Sequence, residues 1–263
     1  MILSCLILTK NNGKTIFYVL ESVKNMVDEI VVVDSGSTDN TLEIVQNYTD
    51  KIYKRSLDSF SKQRNYGIEK CSGDYILLLD SDEIVSENFS KVKKYLNKGY
   101  QSLSFPRYNL ISVDPLEYVI TIHHYRNWQT RIIKNNGVAK YGDDIVHETL
   151  KNYRPRLRCA EAHVFHLDFL VHSYEVRAKK VDFYNNMSPG TGYPECYLFE
   201  DYPYRTALTL EKPAQHILDM LCGDENLRTF KYVSNRSFFT QITQMMRWNA
   251  YKLLTRIRAM VGV

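Results

Sequence analysis

The sequence predicts an α/β protein: a mostly parallel central sheet flanked by helices, with a helical C-terminal extension. Three observations point to it. Strand-length apolar runs alternate with helix-spaced apolar residues over the first hundred positions. The runs at 2–8, 29–33 and 75–79 are nearly continuous in apolar residues, the mark of strands covered on both faces. Each run is followed by a polar residue, Thr9, Asp34 or Asp80. That places side chains capable of chemistry at the carboxyl ends of strands, where open α/β sheets bind ligands.

The elements follow in order. After the first strand comes the turn Lys10-Asn11-Asn12-Gly13, then Ile16, Val19, Leu20 and Val23 at helical spacing. The second strand runs into the loop Ser35-Gly36-Ser37-Thr38-Asp39. Asn40 with Glu43 three residues later gives a capping-box-like helix start. Residues 51–54 read as a short third strand, 61–70 as a helix and 75–79 as the fourth strand. Ser86 is placed to cap a helix reaching about residue 97. Beyond residue 100, strands are expected at 101–110, 119–122 and 128–133, and a helix at 171–185. A Pro/Gly/aromatic loop spans 188–203, and helices are expected at 206–221 and 238–261.

Composition narrows the class. With 44% hydrophobic and 24% charged residues, the chain can bury a sizeable core, which excludes disorder. No run reaches the roughly 18 apolar residues that span a bilayer. The run at 2–8 lacks the basic flank of a signal peptide. Five scattered cysteines without a CxxC pair suit a reducing compartment, so a cytoplasmic location is expected. The net charge of +4 is uneven: after Glu225 there are seven basic residues and no acidic one. A basic end on a mildly acidic body argues against coating nucleic acid.

The sharpest motif is Leu79-Asp80-Ser81-Asp82-Glu83. On an extended chain Asp80 and Asp82 share one side while Ser81 turns away. Paired carboxylates repel unless a cation lies between them. Hard oxygens suit Mg²⁺ or Mn²⁺, which also bind phosphate oxygens. An acidic helix start is the structural alternative. Asp34, at a strand tip, can accept hydrogen bonds from a ribose or base, or simply turn its loop. Arg64, near a helix start, can approach phosphate. Six of the seven histidines, including His123, His124, His147, His163, His166 and His172, fall between 123 and 172. That clustering points to a metal ligand or an orienting group among them. The helix expected at 238–261 carries an apolar aromatic face edged by Arg247, Lys252, Arg256 and Arg258. It suits an anionic membrane surface, its own domain or a partner subunit, and so a homo-oligomer.

At these residues the sequence resembles a family 2 glycosyltransferase of the Rossmann-like GT-A fold, and within it the lipopolysaccharide-core glucosyltransferase branch. "LTKNN", "EIVVVDSGSTDNT", "SFSKQRNYGI", "GDYILLLDSDE", "VHETL" and "HLDFLVHSYEVRAKKVDFYNN" stand in that branch's order. The resemblance is strong over residues 1–90 and fair to about 187. It implies inverting transfer of a sugar from a nucleotide-sugar donor, a UDP-sugar, to a hydroxyl of a glycan or glycolipid acceptor in cell-surface glycan synthesis. Residues 1–110 would form the nucleotide-sugar half, 111–204 the acceptor and catalytic half, and 205–263 a basic helical extension at the cytoplasmic membrane face. Thr9, Asp34 and Arg64 would hold the base. Asp80 would contact ribose or metal, and Asp82 would ligate Mn²⁺ or Mg²⁺, with His166, or else His163, completing the shell. Ser35 stands where many relatives carry a second Asp. The proton acceptor is expected on the acceptor side: Glu148 first, then Asp144, then Asp168, with His147 orienting the site.

Two other readings compete. A haloacid-dehalogenase-like phosphatase would use Asp80 as nucleophile and Asp82 as acid/base. However, its motif closes the first strand, and Ile84 replaces the expected Thr or Val. A non-catalytic adaptor would keep the fold and dock through the tail, leaving the Asp80/Asp82 pair unexplained. The lack of GxGxxG after the first strand argues against a nicotinamide oxidoreductase.

Overall fold

A computed structural model describes residues 1–113, 115–121, 127–201, 205–209, 219–221, 224 and 227. The order is β1 (Leu3–Thr9), α1 (Ile16–Val23), β2 (Glu29–Asp34), α2 (Thr41–Gln46), β3 (Ile52–Lys54), α3 (Phe60–Lys70), β4 (Tyr75–Asp80) and β5 (Glu83–Val85). A 3₁₀ segment, Glu87–Tyr95, leads to β6 (Ser102–Val113), β7 (Leu116–Thr121) and β8 (Trp128–Lys134). Then come β9 (Lys140–Tyr141), β10 (Leu150–Lys151), β11 (Arg156–Arg158), β12 (Val164–His166), α4 (Asp168–Val171), α5 (Tyr174–Met187), α6 (Pro194–Tyr197) and β13 (Arg205–Thr209).

The main sheet runs β13-β7-β6-β8-β4-β1-β2-β3. Its first-half strands, β1 to β4, are parallel, with Thr9 beside Asp34 and Leu8 beside Asp80. The second half is largely antiparallel: β8 reverses against β4, and β6 against β8 and β7. The sheet is therefore mixed, and its parallel character belongs to the N-terminal half. Alternation along β1 sends Cys5 and Ile7 to one face and Leu6 and Leu8 to the other. Ile16, Val19, Leu20 and Val23 of α1 cover the first face at the expected helical spacing. The second face receives α3, whose buried residues are Ser61, Gln63, Arg64 and Gly67 rather than an apolar stripe. Gly67 lets α3 close on β1; a Cβ there would lie 2.5 Å from Leu6 Cδ1.

Several sequence expectations are corrected. The helix expected after Ser86 is a 3₁₀ segment without a side-chain cap, because the Ser86 hydroxyl accepts from the His163 N–H instead. The helix expected at 171–185 is α5 at Tyr174–Met187, starting later because the Ser173 hydroxyl caps it by accepting from Val176 N. Residues 205–209, expected largely within a helix, form β13 and pair with β7. The helix expected at 238–261, His123, His124 and His216 lie outside the described residues. No helix among the described residues is long and apolar enough to cross a membrane.

The tight α3–β1 contact carries a prediction. Gly67→Val gains a few tenths of a kcal/mol in helix propensity but overpacks against Leu6, which costs about 1–3 kcal/mol. Urea denaturation should show a lower midpoint with an unchanged slope.

Candidate active-site cleft

A cleft of about 740 Å³ opens over the carboxyl ends of β1, β2 and β4. Thr9, Ser35, Gln63, Arg64, Asp80, Asp82, Glu148, His166 and Asp168 are among the residues that line it. The Thr9 hydroxyl donates to Asn12 Oδ1 at 3.2 Å, and the Ser81 hydroxyl donates to the same oxygen at 2.8 Å. The Ser35 hydroxyl accepts from Gln63 Nε2 at 3.0 Å. This is the pole of the cleft built by β1 and β2.

Asp34 is not part of the lining. It is fully buried, and its carboxylate accepts from Gly36 N, Ser37 N and the Ser37 hydroxyl, so it shapes the loop after β2. The turn reading of that motif describes Asp34 better than the base-binding one. Alternation also fails beyond β4: Ser81 and Asp82 form a turn into β5, and Asp80, Ser81 and Asp82 all line the cleft.

The floor is a chain of ion pairs. Arg107 Nη1 meets Glu83 Oε1 at 3.1 Å, and Arg131 bonds both Glu83 and Asp80, the latter at 2.9 Å. Arg64 then joins Asp80 to Glu148. Arg131 is the extra residue where the β6–β8 register shifts from Leu103↔Ile132 to Ser104↔Thr130; a bulge of this kind re-aims a side chain. Burial works to raise the Asp80 carboxyl, but Arg131 and Arg64 override it and hold it well below the usual carboxylate range. Both Asp80 oxygens accept from guanidinium groups, so the metal or ribose contact expected of Asp80 would share them with Arg64 and Arg131. Glu83, the third acid of the motif, is fully buried and structural: it anchors both arginines and accepts from Asp80 N at 3.3 Å.

Asp82 and His166 do come together. His166 Nε2 lies 3.2 Å from Asp82 Oδ2, and His166 Nδ1 donates to Asn109 Oδ1 at 3.0 Å. With Nδ1 donating to Asn109, Nε2 is the nitrogen that faces Asp82: protonated it donates to that carboxylate, and neutral it offers a lone pair to an ion. Burial raises the Asp82 carboxyl, while His166 and Lys180 bring it below its ordinary value. Among the described residues no three His, Cys, Asp or Glu side chains converge as a metal cage. One carboxylate and one imidazole nevertheless fit an ion that takes its other ligands from phosphates and water. His163, the second choice, faces Tyr108 and Phe165 and does not line the cleft.

Of the expected proton acceptors, Glu148 lines the cleft with one oxygen on Arg64. Asp144 is outside the lining and accepts from Thr149 N at 3.1 Å. Asp168 accepts from His172 Nδ1 at 2.7 Å and Lys180 Nζ at 3.3 Å, and its buried Oδ2 has no protein partner among the described residues. Burial raises its carboxyl, but Lys180 and His172 drive it far below normal, so it is a fixed anion rather than a proton acceptor. His147, in the left-handed region at φ 53°, donates from Nε2 to Thr191 O at 2.6 Å. Its ring packs on Tyr193 and Tyr184, so it fixes the loop beside Glu148.

Sequence reasoning missed Arg107, Asn109, Arg131 and Lys180. A charge interrupting the apolar strand at Arg131-Ile132-Ile133 was the one available signal.

Residues 4–154, more than half the chain, match the family model described as "Glycosyl transferase family 2". An uncharacterized glycosyltransferase of Rickettsia felis is 32% identical over 108 residues, covering 41% of this chain and 38% of that protein. The SPbeta prophage-derived glycosyltransferase SunS of Bacillus subtilis is 33% identical over 159 residues, covering 59% of this chain and 36% of SunS. The matches thus span well under half the length of these relatives. Among solved structures, S. aureus TarS 1–349 in complex with UDP-GlcNAc aligns with 19% identity and a TM-score of 0.46, over 76% of this chain and 71% of that one.

The ion-pair chain predicts an acid-sensitive phenotype. A carboxyl depressed in the folded state stabilises above its unfolded value, about 3.9, and loses that contribution as pH falls towards the folded value. Arg131→Met should cost about 3 kcal/mol at pH 7, the low end for a broken buried pair because Asp80 keeps some solvent contact. The gap to wild type should narrow below about pH 4, as followed by denaturant titration at each pH.

Proposed function

We propose, from the premise that this chain belongs to glycosyl transferase family 2, that it moves a sugar from a nucleotide-diphosphate donor, a UDP-sugar, to an acceptor hydroxyl with inversion. The observation that carries the reading is the Asp82–His166 pair, with Asn109 fixing the imidazole, beyond the end of a parallel strand. The ordered motifs support a place in the lipopolysaccharide-core branch and a role in cell-surface glycan synthesis at the cytoplasmic membrane face.

Asp82 and His166 would hold a divalent ion, Mn²⁺ or Mg²⁺, which when bound supplies Lewis-acid stabilisation of the departing diphosphate. The Thr9 and Ser35 pole would receive the nucleoside, with Gln63 and Arg55 bracing it: Gln63 Nε2 donates to Ser35 and to Arg55 O, and its Oε1 accepts from Arg55 at 2.6 Å. Arg64 would act as a positioning residue rather than a base contact. It grips one Glu148 oxygen and leaves the other to take the acceptor's proton on the far side of the sugar. Asp168, kept anionic by Lys180, would favour positive charge developing at the anomeric carbon.

Two expected outcomes test this. Calorimetric titration with UDP should show binding that strengthens at least tenfold with Mn²⁺, and Asp82→Asn should remove the metal-dependent part. UDP binding indifferent to both would sink the assignment. With a radiolabelled UDP-sugar, Glu148→Gln should lower turnover by about 10²–10⁴-fold while leaving UDP affinity within a factor of about two.

A further inference from the structure

We infer that the β11 end of the cleft is an anion-binding subsite for the acceptor, and that the acceptor is a saccharide carrying a phosphate or carboxylate group. The inference rests on the transferase reading but concerns a surface that reading does not use.

It starts from a census of arginines. Arg55, Arg64, Arg107, Arg131 and Arg177 each pair with a carboxylate. Arg154, Arg156 and Arg158, in the segment Arg154-Pro155-Arg156-Leu157-Arg158, have no carboxylate partner among the described residues. Their placement is specified by the fold. Arg156 and Arg158 pair with Ser102 and Ser104 of β6, and Leu157 between them packs into the core on the other face. Alternation therefore puts both arginines on one side of the sheet, and Arg156 lines the cleft.

Both guanidinium groups are braced by aromatic rings. Arg156 lies over Tyr153 at 5.4 Å, and Arg158 lies over Trp128, itself a cleft residue, at 5.6 Å. Stacking holds a planar guanidinium while leaving its edge donors for a carboxylate or phosphate. Burial, with the neighbouring Arg158 and Arg154 charges, lowers the Arg156 pKa, so an anion arriving there would relieve an uncompensated cluster.

Sheet order separates this subsite from the donor pole. β11 and β1 are four strand steps apart through β6, β8 and β4, about 19 Å at the usual spacing. Asp82 follows β4, one of the strands between them, and faces His166 at the end of β12. A ligand reaching both the reacting centre and Arg156 therefore enters from the side opposite the nucleoside.

The test uses the full chain with UDP and Mn²⁺ at saturation, the UDP affinity being measured first and reported independently. Glucose 6-phosphate, glucuronate and glucose are then titrated by ligand-observed NMR. Binding of either anionic sugar, at least tenfold tighter than glucose and weakened at least tenfold in Arg156→Gln/Arg158→Gln, is the expected result, and the tighter of the two identifies the anion. Arg156→Lys/Arg158→Lys should retain part of the binding, which separates lost charge from lost folding. Equal affinity for glucose and both anions, no binding of either, or binding unchanged in the Gln variant overturns the proposal. Loss of UDP binding alone would instead count against the donor assignment.

Discussion

The chain of ion pairs from Arg107 through Glu83, Arg131, Asp80 and Arg64 to Glu148 is the constraint on which the site depends. It ties five regions distant in sequence: the β4–β5 turn, strands β6 and β8, helix α3 and the segment before β10. Removing one partner would leave a charge uncompensated in a partly dry setting, which is far costlier than losing a surface pair. The chain therefore fixes where Glu148 and Asp80 can sit. It also explains why α3 buries Gln63 and Arg64 where an ordinary helix would bury leucines. Hydrophobic adhesion is supplied elsewhere, by β1, β2 and β4 and by α1 on the opposite face.

The cleft is consequently graded rather than uniformly charged. Neutral hydrogen-bonding groups, Thr9, Ser35 and Gln63, form one pole. The centre holds the acids Asp82 and Asp168 beside His166, with Lys180 supplying nearby positive charge. The far end is basic and aromatic. A donor with a neutral base and an anionic diphosphate meets such a gradient in the right order if a cation sits at the centre. The proposed anionic acceptor would be accommodated from the opposite side, where among the described residues no carboxylate pairs with Arg154, Arg156 or Arg158.

Much of the fold was legible in the chain. The strands ending at Thr9, Asp34 and Asp80, helix α1 and the buried character of the first half follow from apolar runs and helical spacing, which act over a few residues. The need to compensate the acids after β4 was legible too, because an acid pair after a buried strand carries unfavourable like charge. The partner of Asp80 was not. Its compensation comes from arginines 16 residues before it and 51 after it, and nothing local announces them. Short strands such as β5, β11 and β12 also escaped notice, since two or three residues carry no periodicity.

What the sequence determined by itself was which residues must be buried and which polar groups end up at strand tips, because hydrophobic patterning and chain geometry are local. What only the tertiary structure decided was the state of those polar groups: Asp34 turned into its loop, Asp80 locked by guanidinium groups, Asp82 beside His166, and Arg156 stacked on Tyr153. Charge compensation depends on separations of a few ångströms between residues far apart along the chain, and only the folded sheet sets those separations.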